Sequence, residues 1–218
     1  MFGKIKDFLK SVLRFLYTNK CIICNQNSED YICKNCKKEI NFLSLFPTKI
    51  YKKTPIYCAS VYKTVIKKLI KSLKFYRKKY AYIPLAQILF DYYTKLKLKK
   101  DFVIVFPPTF FSKNTRRGYC HMELIAKEFA RLTNFKLEKK LIKKTKYTKP
   151  QYTSKNRKKN IENSYIVNKK LIQKYKNSPI LILDDITTSG ATIETLIDIL
   201  ISAGIEDITS LVIAKAGK

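Results

Sequence analysis

A chain of 218 residues with 46% apolar content is long enough for one ordinary domain plus a small appendage, with a real core. No apolar run approaches the roughly 18 residues needed to cross a bilayer, and no secretory leader with a cleavage site is visible, so a soluble cytoplasmic protein is expected. The net charge of +29, from 45 basic and 16 acidic residues, exceeds what solubility requires and points to polyanionic partners; only six of the basic residues are Arg, so a Lys-rich coding bias contributes to it.

Residues 1–17 read as an amphipathic helix. Phe2, Ile5, Phe8, Leu9, Val12, Leu13 and Leu16 share one side, with Lys4, Lys6, Lys10 and Arg14 on the other. Such a helix either packs on the domain or makes peripheral contact with an anionic membrane, which would place the protein at its inner face. A compact cysteine module spans Cys21 to Cys36. The patterns that follow predict a strand at 56–62, helices at 64–76 and 81–97, and a buried strand at 101–106 that stops at Pro107-Pro108. A helix over 120–132 turns Leu124, Ile125, Phe129 and Leu132 inward. Residues 136–160 are dominated by charge and show little buried pattern. A short strand near 164–167 precedes a strand at 180–183, a helix at 191–203 ending near Gly204, and a last strand at 208–214. Strands alternating with helices of this length predict an α/β fold, a mostly parallel Rossmann-like sheet with helices on both faces. The expected organisation is a helix and cysteine module over 1–45 and a single α/β domain over 46–218.

Cys21-x2-Cys24 and Cys33-x2-Cys36 are two pairs separated by eight residues. Each pair can aim two thiolates at one ion, and together they complete a tetrahedral four-sulfur site. Soft thiolates select Zn²⁺ or iron. Zinc is favoured because nothing nearby suggests electron transfer, and the competing disulfide reading suits a reducing cytosol poorly. The role is structural, since about 20 residues cannot fold on their own core. Cys58 reads as a core residue. Cys120 and His121 are adjacent on a predicted helix and so do not face each other as a nucleophilic pair. His121, the only histidine, is a candidate ligand contact.

The most informative stretch is Ile180-Leu-Ile-Leu-Asp-Asp-Ile-Thr-Thr-Ser-Gly-Ala-Thr192. An aliphatic strand runs into Asp184 and Asp185, and then into a loop that wraps onto the first turn of a helix. Backbone amides of that turn, the helix dipole and the hydroxyls of Thr187, Thr188, Ser189 and Thr192 favour an anion, with Gly190 and Ala191 allowing close approach. The carboxylates can accept hydrogen bonds from sugar hydroxyls or meet a hydrated Mg²⁺. Simple helix capping is the competing reading, but it needs one such residue rather than six. The segment resembles the phosphoribosyl-pyrophosphate (PRPP) motif of type I phosphoribosyltransferases. There, two acidic residues contact the ribose hydroxyls and the following loop holds the 5′-phosphate.

A second strand ends at Pro107-Pro108, with Arg116, Arg117 and Gly118 ahead of a helix. Two guanidiniums at the carboxyl end of a parallel sheet can hold a diphosphate, or can be a solvated surface pair. Residues 136–159 carry eleven Lys or Arg and one acid, Glu138. Lys143, Lys144, Lys146, Lys149, Arg157, Lys158 and Lys159 can neutralise phosphates, while Tyr147 and Tyr152 offer faces for unstacked bases. The segment reads as a single-stranded DNA contact, as a loop closing over PRPP, or as a solvated charged loop.

Taken in order, these pieces resemble the ComF family, competence-associated phosphoribosyltransferase-like proteins. The likeness rests on the four cysteines, Tyr62, Leu69-Ile70, Leu73-Lys74-Phe75, Pro107-Pro108, Arg116-Arg-Gly-Tyr119, Gln151…Arg157-x-x-Asn160 and Asp184-Asp185. Cys120-His121 stands where the family has Asn-Gln, Ser189 stands for a Thr, and the Gln151-to-Arg157 interval is shorter. The resemblance implies a type I phosphoribosyltransferase-like fold, structural zinc, PRPP bound with Mg²⁺, and a role in DNA uptake in natural transformation, with DNA-uptake proteins as partners. It does not imply an acceptor for phosphoribosyl transfer. Lys74 is a weaker candidate for the diphosphate, and no general base is identifiable. The alternative is a metabolic phosphoribosyltransferase that transfers phosphoribosyl from PRPP to a base or amine.

Overall fold

The structure is a computed structural model that describes residues 20–76, 78–108, 118–145 and 164–217. The expected helix over 1–17, and with it any membrane contact, lies outside the described residues. Among the described residues no helix is long and apolar enough to cross a membrane.

The elements in chain order are α1 (Lys34–Lys38), β1 (Lys49–Tyr51), β2 (Thr54–Val61), α2 (Thr64–Phe75), a 3-10 turn (Lys79–Ala81), α3 (Tyr82–Leu96), β3 (Val103–Val105), α4 (His121–Thr133), β4 (Lys136–Leu137), β5 (Ile142–Lys144), β6 (Tyr165–Val167), α5 (Lys169–Tyr175), β7 (Ile180–Thr187), α6 (Ala191–Ser202) and β8 (Ile208–Lys215). Six strands form one sheet in the order β1-β2-β8-β7-β3-β4. The β1–β2 pairing is antiparallel and the other four are parallel. Lys52 and Lys53 both take positive φ in the β1–β2 turn, as a two-residue hairpin connection with matching twist requires.

Ile180, Leu181, Ile182 and Leu183 are fully buried, the mark of a central strand covered on both faces. Alternate residues of β7 enter different cores. Leu181 and Leu183 join α2, α3 and α4; Ile180 and Ile182 join α5, α6 and the β5–β6 ribbon. The helix after β3 covers one face and the helix after β7 the other. The crevice between these adjacent strands is therefore a topological switch point, where ligands bind in such sheets.

Most expected elements are present. β7 runs four residues beyond the expected end at 183, because β8 continues to pair with it up to Thr187↔Lys215. The charge-rich region from 136 holds more buried structure than its composition suggests. Leu141 and Ile142 are buried, and β5 pairs with β6 in a separate antiparallel ribbon. The short helix α5 gives no clear sequence signal, although Asn168 caps it by accepting from the amides of Lys170 and Leu171 at 3.1 and 3.4 Å. In α4, Met122 and Ala126 are buried with Ile125 and Phe129, while Leu124 and Leu132 are partly buried.

Phe129 packs edge-on against Tyr93, whose ring also meets Phe102 and Phe135, so four aromatic rings join α3, α4 and the strand between them. Phe129→Ala is expected to destabilise the chain by about 3–5 kcal/mol, measured by urea denaturation.

Candidate functional site

The parallel pairing that carries β7 to Thr187 also fixes its last side chains. With a period of two, neighbouring aspartates leave a strand on opposite faces. Asp184 and Asp185 are both buried.

Asp184 faces α6. It lines a recess of about 20 Å³ together with Ile186, Ile193 and the six residues Thr187, Thr188, Ser189, Gly190, Ala191 and Thr192. That is room for one or two water-sized groups. Gly190 takes φ +86°, and a Cβ there would lie 3.0 Å from Glu194 Oε1, so the turn needs glycine both for its backbone and for the close approach. The amide of Ala191 donates to Ser189 Oγ at 3.5 Å. Glu194, buried on the first turn of α6, is paired with Lys49 from β1. A carboxylate there would compete with any anion for the helix N-terminus, and Lys49 offsets its charge.

Asp185 faces the other way. Its Oδ2 lies 2.5 Å from Lys74 Nζ at the end of α2 and 2.8 Å from His121 Nε2 at the start of α4. Both nitrogens reach this enclosed oxygen at close range, without an aligned hydrogen bond among the described residues. One carboxylate thus pins two helices across the crevice. Sequence reasoning marked Lys74 and His121 separately, but no local pattern joins them to Asp185.

The two carboxyls differ in acidity. Burial pushes Asp184 up from 3.8 to about 7, and the negative charge of Asp185 adds to the rise. Burial also works to raise Asp185, but the Lys74 charge and the His121 contact outweigh it and hold it well below the usual carboxylate range. Tyr165, from the β5–β6 ribbon, is raised to about 12 by burial and then by the charge of Asp184. Lys144 lies over its ring at 5.4 Å, with its own pKa lowered by burial. Tyr165 and Glu194 escaped sequence reasoning. Tyr165 sits on a three-residue strand, and Glu194 has the pattern of an ordinary first-turn acid.

Lys143 is exposed on the same ribbon. Arg116, Arg117, Lys146, Tyr147, Lys149, Tyr152, Arg157, Lys158 and Lys159 lie outside the described residues.

The four cysteines form another centre. The sulfurs of Cys21, Cys24, Cys33 and Cys36 all lie within 4.8 Å of one another, with Cys24 and Cys33 at 3.6 Å. A tetrahedral four-sulfur site with metal–sulfur bonds of about 2.3 Å spaces its sulfurs at about 3.8 Å, so the quartet fits a metal ion. Burial raises the Cys21 thiol, but amides of Cys24, Cys33 and Ile23 directed at it prevail and bring it down to about 6, favouring thiolate. Cys36 is raised, first by burial and then by the neighbouring sulfurs. A cation among the four would relieve that repulsion. Cys21, Ile22, Ile32 and Cys36 belong to the same core as α3, so this module is continuous with the sheet domain.

Residues 115–218 match the phosphoribosyl transferase domain family. The fold is phosphoribosyltransferase-like, a mostly parallel sheet with the acid pair at the end of β7, and a four-cysteine cluster stands at its N-terminal side. Over 209 residues the chain is 23% identical to Competence protein F of Haemophilus influenzae, covering 90% of each protein. The resemblance to the ComF family therefore extends across nearly the whole chain, beyond the individual motifs. Among solved structures, adenine phosphoribosyl transferase from Trypanosoma brucei, in complex with AMP, pyrophosphate and ribose-5-phosphate, is similar at 12% identity. It covers 84% of this chain and 78% of that one, with a TM-score of 0.41.

The raised pKa of Asp184 makes a pH prediction. A carboxyl whose folded-state pKa exceeds its unfolded value stabilises the fold when protonated, and that contribution is lost as pH rises from about 4 through about 7. Asp184→Asn keeps a neutral group there at every pH. Its thermal midpoint is expected to exceed that of the wild type by more at about pH 8 than at about pH 5, read by circular dichroism.

Proposed function

We propose that this chain binds PRPP with Mg²⁺ and handles single-stranded DNA in a competence-type uptake system, with DNA-uptake proteins as its partners. The observation that carries the PRPP reading is the recess. A buried carboxylate, a run of hydroxyls and the N-terminal turn of α6 converge at the end of a central parallel strand, on the segment that matches the phosphoribosyl transferase family. In this reading the 5′-phosphate lies against the amides and hydroxyls of residues 187–192. Asp184 is turned toward the ribose hydroxyls, directly or through water on Mg²⁺, for which its hard oxygens are suited. Asp185 acts by position. It stays anionic and holds the ends of α2 and α4 over the crevice, where Arg116 and Arg117 would meet the diphosphate. Mg²⁺ would supply charge neutralisation of the diphosphate. The DNA reading rests on the net charge of +29 and on the similarity to a competence protein, with Lys143 and Lys144 at the described end of the basic segment.

Calorimetric titration of PRPP with Mg²⁺ is expected to show saturable binding to the wild type and at least about tenfold weaker binding to Asp184→Asn, the scale of losing one charged contact. Equal heats from both proteins would remove the recess assignment.

We further propose zinc for the four-cysteine cluster, held by Cys21, Cys24, Cys33 and Cys36 in a structural role. Elemental analysis is expected to find about one zinc per chain. Because the cluster shares the main core, Cys36→Ser is expected to lose the metal and to lower the thermal midpoint of the whole protein, with no separate transition for the module. An unchanged midpoint with the metal gone would sink the structural role.

A further inference from the structure

The helix that opens the recess and the hairpin at one edge of the sheet carry opposite charges. In α6 the only charged residues are Glu194 and Asp198, and a spacing of four puts them on one face. The turn joining β1 and β2 brings Lys49, Tyr51 and Lys52 against that face. Lys49 is paired with Glu194, 145 residues further along the chain. Lys52 Nζ lies 2.6 Å from Asp198 Oδ1, and Tyr51 Oη donates to the two oxygens of the same carboxylate at 3.3 and 3.1 Å. Both lysines also stand over the Tyr51 ring, 5.6 and 5.7 Å from its centre. Two distant segments are thus matched charge for charge.

The two ties differ in what they mean for the recess. Asp198 has a side chain 36% exposed and sits one turn further along α6, about 6 Å beyond Glu194. A pair so open to solvent fastens the hairpin to the helix and contributes little more. The Glu194 side chain is only 7% exposed. Its Oε1 lies 3.0 Å from the point that a Cβ on residue 190 would occupy, so the carboxylate rests against the glycine of the recess turn. A negative charge is therefore held out of water beside amides that are otherwise open to an anion. That charge suits the dipole of α6 by itself, but it repels a phosphate, and burial limits the screening of that repulsion. Lys49 does not line the recess, yet it places a cation on this carboxylate from outside.

We infer that Lys49 is a positioning residue for the phosphate end of the ligand. By pairing with Glu194 it removes the repulsion that keeps a dianionic phosphate monoester from the amides and hydroxyls of residues 187–192. It acts through Glu194 and touches no ligand atom. The inference rests on the recess reading above and deepens it: phosphate affinity is set from β1, with two strands between it and β7 in the sheet. The diphosphate end, which that reading turns toward Arg116 and Arg117, lies outside the reach of this pair.

The test is calorimetry on the full-length protein at about pH 8, where carboxyls are ionised. The probes are PRPP with Mg²⁺, ribose-5-phosphate, which carries the monoester alone, and pyrophosphate with Mg²⁺, which carries only the other end. Lys49→Met is expected to weaken PRPP and ribose-5-phosphate binding about tenfold or more and to leave pyrophosphate at the wild-type value. Adding Glu194→Gln to Lys49→Met is expected to bring ribose-5-phosphate back to within about threefold of the wild type, because a neutral amide has no charge to offset. Lys52→Met, which loosens the same hairpin one turn away, is expected to bind all three like the wild type. If the wild type binds ribose-5-phosphate and Lys49→Met binds it equally well, the inference is refuted and the recess reading survives. Equal losses in Lys49→Met and Lys52→Met, or no recovery in the double variant, make Lys49 a mere structural tie and refute it too. Should Lys49→Met fail to fold, Glu194→Gln alone decides: binding of ribose-5-phosphate at least as tight as the wild type supports the inference, and weaker binding refutes it. A wild type with no affinity for PRPP or ribose-5-phosphate overturns the recess reading and the inference with it.

Discussion

The arrangement of this protein follows from the last turn of a pleat. β7 does not stop before its two carboxylates but stays paired with β8 through both of them. A strand continued past Leu183 must send Asp184 to one face and Asp185 to the other. The recess under α6 acquires one carboxyl, and the opposite face acquires the other, which gathers Lys74 and His121 from two helices. Their environments also separate them chemically. The Lys74 charge and the His121 contact keep Asp185 ionised, and its charge, added to burial, makes Asp184 reluctant to ionise. Two identical side chains, adjacent in sequence, thus take up different tasks: one holds elements together and the other is presented to the recess.

Positive charge is distributed to match. Lys49 stands against Glu194 at the start of α6, and Lys74 against Asp185 across the sheet. Each offsets the charge of a buried acid beside the crevice. Among the described residues, Lys67, Lys68 and Lys71 on the outer face of α2 form no ion pair. The cysteine module lies along the same side of the molecule. Its buried residues join the core of α3, and its Tyr31 meets Tyr80 just beyond the end of α2. The cysteine cluster, the aromatic helix end and the Asp185 cluster therefore form a continuous series, each in contact with the next.

The strand at 180, the loop with Gly190, the helix after it and the four-cysteine spacing were all legible in the chain, because each is a local pattern. An aliphatic run, a residue tolerant of positive φ, a 3.6-residue apolar period and paired C-x-x-C spacings act within a dozen residues. From them came the parallel sheet, the loop whose six residues line the recess and the four clustered cysteines. The extent of β7 was a different matter. Ile186 and Thr187 have no sequence mark that separates a strand from a loop, and their state depends on Ala214 and Lys215 lying opposite.

Residue order alone thus decided which groups the chain carries: an acid pair, a glycine turn rich in hydroxyls, four closely spaced thiols and an excess of cations. Only tertiary structure decided how those groups are shared out. The meeting of Lys74, His121 and Asp185 joins three elements spread over more than half the chain, and the placement of Tyr165 beside Asp184 depends on a separate two-stranded ribbon. Such contacts are set by sheet register and by which face each crossover helix covers. Those are properties of the whole fold, and no single segment encodes them.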